Sequence, residues 1–412
     1  MPSPFHGVGR ALASRGYRIY WFGQIPHVQG IWIHRVAAGW LIFEMTGSPA
    51  WLGAIGFAMS APALVLSPLA GALSDRIGHR RTSVIATAAG MLVVLATALL
   101  TYAEVMTPVL LFALVMLLAV FVAFEFPARQ SLVPVLLDRS VLTEGMALNW
   151  AMFNVAFFTG PLIAGVLLTL GGPELAFFTA TGTYIWMLGA LMRIPQSAEP
   201  RLKALRLGGL FSDIATGLGY TLRHPVIPLV IGLQVVVSLL VRPYVDLMPG
   251  FASAVFGRGE QGLAILLAGS GIGALVVSMG LTLFGRERWL VYVFVFGAAG
   301  SAAALLLFTL TDLFWLGVAV LPLVGGAATA AGIANATLIQ QYVDAGFRGR
   351  VVSLNMAFQV GAPAVGSLAL GWLAEFVGLQ LAVGVSGGIA FFVVAASARK
   401  LFRKRATIRP PA

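Results

Sequence analysis

The sequence predicts an all-α integral membrane protein, with twelve transmembrane helices in two pseudo-symmetric six-helix bundles. Three observations predict it. The chain carries too little charge to coat a water-exposed surface. Its apolar runs follow one another end to end, each near membrane thickness. The sequence also matches itself at half its own length.

The charge comes first. Of 412 residues, 59% are hydrophobic and 10% charged, and mean hydropathy is +0.93. A soluble domain carries about 25% charged residues, so a bilayer is the solvent that fits this chain. The apolar runs fall at 19–43, 50–73, 83–103, 106–126, 145–170, 174–192, 226–249, 261–284, 289–310, 313–339, 351–376 and 379–398. A spanning helix needs about 20 such residues. Lipid cannot satisfy loose backbone amides, so the runs are expected to be helical. The first 18 residues lack the apolar core and cleavage site of a removable signal peptide.

The net charge of +11 would suit nucleic acid, but its distribution argues against that partner. Every lysine and arginine except Arg35, Arg242 and Arg258 falls in a terminus or in alternate connections, all on one side. The positive-inside bias then places both termini in the cytoplasm of a cell-membrane protein and demands an even number of spans. The tail from Arg399 to Arg409 is also placed to touch anionic lipid.

Shifted by 206 residues, the chain overlays on itself. Asp138 meets Asp344, Asn149 meets Asn355, and Gly160, Gly165 and Gly172 meet Gly366, Gly371 and Gly378. Gly53 and Gly56 meet Gly259 and Gly262. This reads as an N-terminal bundle (1–192), a cytoplasmic linker (193–225), a C-terminal bundle (226–398) and a basic tail (399–412). Halves of this kind hold a substrate between them near mid-membrane in transporters. In the linker, Leu205–Leu222 has the apolar spacing of a helix lying on the inner surface.

Other classes fit poorly. The lysines Lys203, Lys400 and Lys404 sit in no phosphate-cradling loop, which excludes a self-contained ATP-driven pump. With no cysteine and five scattered histidines, no enzyme constellation, metal site or cofactor is expected.

The second-to-third connection reads Gly71-Ala-Leu73-Ser-Asp75-Arg76-Ile-Gly78-His79-Arg80-Arg81. It resembles the G-x-L-x-D-R-x-G-R-R signature of the major facilitator superfamily. Gly30-Ile-Trp32, Phe126-Pro127-Ala-Arg129-Gln130, Gly160-Pro161, Arg242-Pro243-Tyr244 and Arg348-Gly349-Arg350 resemble one branch, the bacterial exporters similar to enterobactin exporters. The resemblance covers nearly the whole chain. It implies a secondary transporter working by alternating access, exporting small amphipathic molecules such as drugs or siderophores, with proton antiport as a candidate coupling. Uptake, or a receptor or assembly role without transport, are the alternatives. A monomer is expected.

The resemblance also implies roles. Gly71, Asp75, Arg76, Gly78, Arg80 and Arg81 form a gating motif, with Asp75 latching one closed state. His79 stands where the family usually has arginine. Glu125 and Arg129, four residues apart on one helix face, join the same inner-gate network. Gly160-Pro161 resembles part of an antiporter motif.

Polar residues at membrane depth are functional candidates by default. Arg35 lies 17 residues into the first span, about 25 Å deep at 1.5 Å per residue. Arg242 lies at similar depth in the seventh span. Both suit an anionic or oxygen-rich substrate, although Arg242 can instead pair with Asp246 and Arg35 can reach outward. Gln24, His27, Gln234, Asp246, Asn335 and Gln359 complete the candidate substrate-binding set, with Asp246, Glu44 and His27 as candidates for a coupling proton.

Overall fold

The computed structural model describes residues 4–194, 216, 218–284, 287–344 and 346–406, and among these every regular element is helical. In chain order the helices are α1 (Pro4–Ala13), α2 (Arg15–Thr46), α3 (Pro49–Ile77), α4 (His79–Tyr102), α5 (Pro108–Leu136) and α6 (Leu142–Arg193). They continue with α7 (Ile227–Leu240), α8 (Tyr244–Gly250), α9 (Gly259–Phe284), α10 (Leu290–Thr309), α11 (Phe314–Tyr342), α12 (Arg348–Val377) and α13 (Leu379–Ala406). Ten stretches are long and apolar enough to cross a membrane. One of them, Arg139–Arg193, contains two spans, because α6 is interrupted at Gly171 and Gly172 ahead of Pro173. The remaining span is α2, whose 32 residues are diluted by polar side chains. The structure thus carries the twelve helices the apolar runs predict.

Two elements differ from the sequence expectation. A short helix, α1, precedes the first span. Ser14 separates the two, its hydroxyl donating to the Leu136 carbonyl (2.8 Å) while accepting from the Tyr17 amide (3.5 Å). That is the N-cap geometry that small hydroxyl residues provide. The last helix does not stop at 398 but continues into the basic tail, to Ala406. Lysine and arginine are good helix formers and are favoured at a helix C-terminus. The linker reading, including the surface helix at Leu205–Leu222, lies largely outside the described residues, as do 407–412 of the tail.

The internal repeat is visible in the backbone. The Asp138 carbonyl accepts from the Val141 amide (3.1 Å), and the Asp344 carbonyl accepts from Phe347 (2.9 Å). The next residues, Leu142 and Arg348, begin α6 and α12. Gly172 and Gly378 then turn the chain with φ +66 and +86. A left-handed backbone disfavours side chains, so glycine is needed at both corners. All these pairs are 206 apart. The match of Gly53 with Gly259 does not hold structurally. Gly53 sits inside α3, whereas Gly259 opens α9 with φ +56. The seventh span continues past α8 through a π-helical turn, Phe251–Val255, and α9 starts 210 residues after α3. The extra residues there move the register.

The chain forms two compact units, Met1–Met45 with Ala58–Leu205, and Thr46–Phe57 with Arg206–Ala412. The first turns of α3 therefore belong with the second unit. There Glu375 of α12 accepts from the Ser48 hydroxyl (2.7 Å) and the Ala50 amide (3.1 Å). It caps the start of α3, where a carboxylate is favoured by the helix dipole.

Candidate functional site

Within the first unit, four helices converge on a cluster of polar side chains sealed from solvent. Gln24 and His27 come from one face of α2, Thr87 from α4, Glu125 and Arg129 from α5, and Tyr184 from α6. None of the six is more than 1% exposed. Close helix approach makes the cluster possible. A Cβ on Gly23 would lie 2.4 Å from that of Ala190, and one on Gly30 would lie 1.8 Å from the Thr183 hydroxyl. Small residues let α2 press onto α6 in this way. Gly160 does the same against Trp32.

Glu125 is the hub. Its Oε1 accepts from the Thr87 hydroxyl (2.6 Å), lies 3.0 Å from His27 Nε2 and 3.5 Å from Arg129 Nη1. The imidazole contact has ion-pair distance without good hydrogen-bond alignment. Arg129 Nη1 also donates to Gln24 Oε1 (3.3 Å), and the Tyr20 hydroxyl donates to the Arg129 carbonyl (3.4 Å). The Tyr184 ring packs edge-on against the His27 ring at 4.4 Å. Among the described residues, Gln24 Nε2, His27 Nδ1, Glu125 Oε2, Arg129 Nε and Nη2, and the Tyr184 hydroxyl have no hydrogen-bond partner. Unpaired polar atoms this deep are expensive, so the cluster is not built for stability alone.

Sequence reasoning placed these residues in two sets, Gln24 and His27 for substrate, Glu125 and Arg129 for the gate. The structure joins them in one site. It adds Thr87, Tyr184 and Tyr20, which the sequence reading passed over. Membrane threonines commonly bond to their own helix, as Thr97, Thr101 and Thr181 do here. Only the three-dimensional neighbour separates Thr87 from them.

At the α3–α4 turn, Gly78 has φ +102, which joins two helices with a single residue between them. His79 Nδ1 hydrogen-bonds the Ser74 hydroxyl (2.8 Å), and its Nε2 stands 3.9 Å from Asp75. Arg80 donates to the Leu191 and Met192 carbonyls, each at 3.0 Å. It thus caps the end of α6, where cations are favoured. Arg76 and Arg81 are exposed. A Cβ on Gly71 would meet nothing within 4 Å, so close packing does not account for that glycine in this arrangement.

In the second unit the seventh span breaks between α7 and α8, at Arg242 and Pro243, because proline supplies no amide to the ladder. The Ser386 hydroxyl donates to the Leu240 carbonyl (2.8 Å) at the break. Beyond it, Asp246 accepts from Ser367 (2.7 Å) and the Tyr244 hydroxyl meets that of Ser270 (2.5 Å). Gln234 donates to Ser238 (3.2 Å), and Asn335 to Asn355 (3.4 Å). Gln359 is half-buried one turn beyond Asn355. In the first unit, Arg35 stands over the Trp32 ring at 5.7 Å, outside the buried cluster. Among the described residues, no group of three metal-ligating side chains is suited to hold an ion.

Two units of apolar helices, most of them long enough to cross a membrane, define a multi-pass membrane protein. The chain belongs to the major facilitator superfamily, and within it matches the transmembrane secretion effector family over residues 10–407. It is 23% identical over 371 residues to the staphyloferrin A transporter of Staphylococcus aureus, covering 87% of this chain and 89% of that one. It is 27% identical over 358 residues to the multidrug efflux pump Tap of Mycolicibacterium fortuitum, covering 84% and 86%. Over 273 residues it is 27% identical to the enterobactin exporter EntS of Shigella boydii, covering 65% and 63%. In fold it is similar to a bacterial homologue of the lysosomal transporter Spinster, with TM-score 0.70, 14% identity and full coverage of both chains. The nucleoside transporter NupG gives the same TM-score at 13% identity, covering 94% of this chain and 99% of that one.

Proposed function

We propose that this protein exports small amphipathic molecules of the drug or siderophore kind by alternating access, in exchange for protons. It acts as a monomer in the cell membrane with both termini in the cytoplasm, and the two halves rock about a substrate site between them. The observation that carries the reading is the His27–Glu125–Arg129 cluster, because ionisable groups buried among spanning helices default to ion and proton pathways. Relatives named as an efflux pump and as siderophore transporters support the substrate class. Arg35 and Arg242 would hold an anionic or oxygen-rich part of the substrate, and Asp75 with its neighbours would latch the closed gate.

The test is transport by the purified chain in liposomes, against a panel of dyes and siderophores including ethidium, with and without an imposed pH gradient. Gradient-driven movement out of the compartment matching the cytoplasm is expected. Movement in the opposite sense would make the protein an importer. Binding without movement of any compound would make it a receptor.

A further inference from the structure

We propose that the exchanged proton rides on the His27 imidazole, and that Glu125 stays ionised throughout as a fixed anion between two cations. This rests on the export-by-exchange reading and names the group that carries it out.

Consider which group in the cluster is free to change charge. Arginine does not deprotonate in proteins, so Arg129 is a constant cation. Glu125 Oε1 is held by the Thr87 hydroxyl, approached by Arg129 and faced by His27. Protonating Glu125 would remove the one anion beside Arg129 in this cluster, and leave Gln24 as the acceptor for its Nη1. Protonating His27 instead places the anion between two positive groups, at 3.0 and 3.5 Å. Both outcomes add one charge. The second keeps every charge next to an opposite one, which a buried site demands.

The geometry favours the imidazole in another way. His27 Nε2 is already within ion-pair distance of Glu125, so a proton there requires only a small ring tilt to become a charge-assisted hydrogen bond. Nδ1 has no hydrogen-bond partner among the described residues, which leaves it open to receive and release the proton through water. The groups facing the ring are named from every element packed on it. They are Glu125 and Arg129 from α5 and Tyr184 from α6, with Thr87 of α4 bonded to Glu125, and Gln24 and Tyr20 of α2 bonded to Arg129. His34, two turns further along α2, packs on Phe177 instead. Among these facing groups, His27 alone can gain a proton without stripping a neighbour of its counter-charge. The step balances simply. Hydronium on one side gives its proton to an imidazole nitrogen and becomes water, and in the other state that N–H bond breaks and water takes the proton.

The experiment uses the full chain in liposomes with ethidium as probe, and reads the ratio of gradient-driven to gradient-free flux. In H27Q and H27N that ratio is expected to fall at least tenfold. A wild-type ratio in H27Q overturns the proposal. A second measurement does not depend on transport or on a variant staying active. In wild-type protein labelled with 15N-histidine, the imidazole signal missing from H27Q should pass from protonated to neutral shifts between pH 4 and 9. A His27 signal that stays fixed over that range overturns the proposal. Wild-type vesicles that leave ethidium in place count against export, and the NMR arm then decides His27 by itself.

Discussion

Glu125 and Arg129 offer a perturbation whose size follows from the structure. At 3.5 Å, two unit charges attract by about 5 kcal/mol at an effective dielectric constant of about 20. Most of that offsets the cost of taking both ions out of water, so the pair need not add net stability. Breaking it by removing one partner is a different matter, and costs about 3–5 kcal/mol because the other charge is left buried and bare. E125Q leaves Arg129 with amide oxygens but no anion in the cluster, and R129Q leaves Glu125 with Thr87 and His27. The double variant E125Q/R129Q leaves no stranded charge. Each single variant is therefore expected to lose about 3 kcal/mol or more, and the double variant to lose less than the two together by about 2 kcal/mol or more. Equilibrium unfolding by SDS in mixed micelles, followed by tryptophan fluorescence, measures all three. Losses that simply add, within about 0.5 kcal/mol, would refute the idea that these side chains form one charged unit.

Four further outcomes follow from particular contacts. R80A removes the cap from the α6 carbonyls of Leu191 and Met192 and should cost about 1–2 kcal/mol; hydrogen exchange should rise along the last turn of α6. R80K, lacking the planar fork, should recover only part of that protection. G172A and G378A each force a side chain into a left-handed corner, at about 1–2 kcal/mol apiece, and equal losses of melting temperature would support the repeat while very unequal ones would oppose it. G53A puts a Cβ 2.3 Å from the Ser367 carbonyl and 3.0 Å from Gly371 Cα, both backbone atoms with little room to yield, so expression and melting temperature should both drop; normal values would mean α3 and α12 are less tightly packed than described. His224, ahead of α7 and outside the spans, accepts through Nδ1 from the Val226 and Ile227 amides (3.2 Å each). Burial lowers its pKa from the ordinary value near 6.5, with the Asp344 charge opposing. The unfolded chain then binds the proton more readily, so this contribution to stability is present above 6.5 and is lost as pH falls through the folded value. Protection of Val226 and Ile227, taken relative to the intrinsic exchange rate at each pH, should fall on acidification in the wild type but not in H224N, where the amide oxygen caps at any pH.

Much of the fold was readable because its determinants are local. Span length, polar turns and one-sided arginines are properties of short windows, and the corners at Gly172 and Gly378 repeat at a constant offset. The signature from Gly71 to Arg81 was readable for the same reason, since its residues lie in one stretch. What Arg80 does there was not. Its acceptors are the carbonyls of Leu191 and Met192, and backbone oxygens leave no mark on residue identity. The union of Gln24 and His27 with Glu125 and Arg129 was hidden as well. The two pairs are about a hundred residues apart, and one sequence holds no record of which helix faces which. The slip of register near Phe251–Val255 escaped because a π turn inserts residues without any composition signal, so glycine matches at Gly259 and Gly262 looked as good as those at Gly366 and Gly371.

The repeat also sharpens what the charged cluster means. Where the 206-residue offset holds, Glu125 corresponds to Ala331, Arg129 to Asn335 and Tyr184 to Ala390. By the same offset, Gln24 and His27 fall on Val230 and Leu233. The second half keeps the uncharged part of the plan: Asn149 bonds Gln130 in one half (2.8 Å), and Asn355 bonds Asn335 in the other (3.4 Å). An amide pair between neighbouring spans is thus common to both halves and is sufficiently explained by helix packing. The ionised groups are not common to both, so packing does not require them. Among the described residues, fully buried ionisable side chains occur in the first half alone, which points to a role beyond packing. If that is proton exchange, a variant that transplants the amide solution into the first half, E125A/R129N, should fold at least as stably as the wild type yet move substrate only down its own gradient. Gradient-driven export in that variant would detach the cluster from coupling altogether.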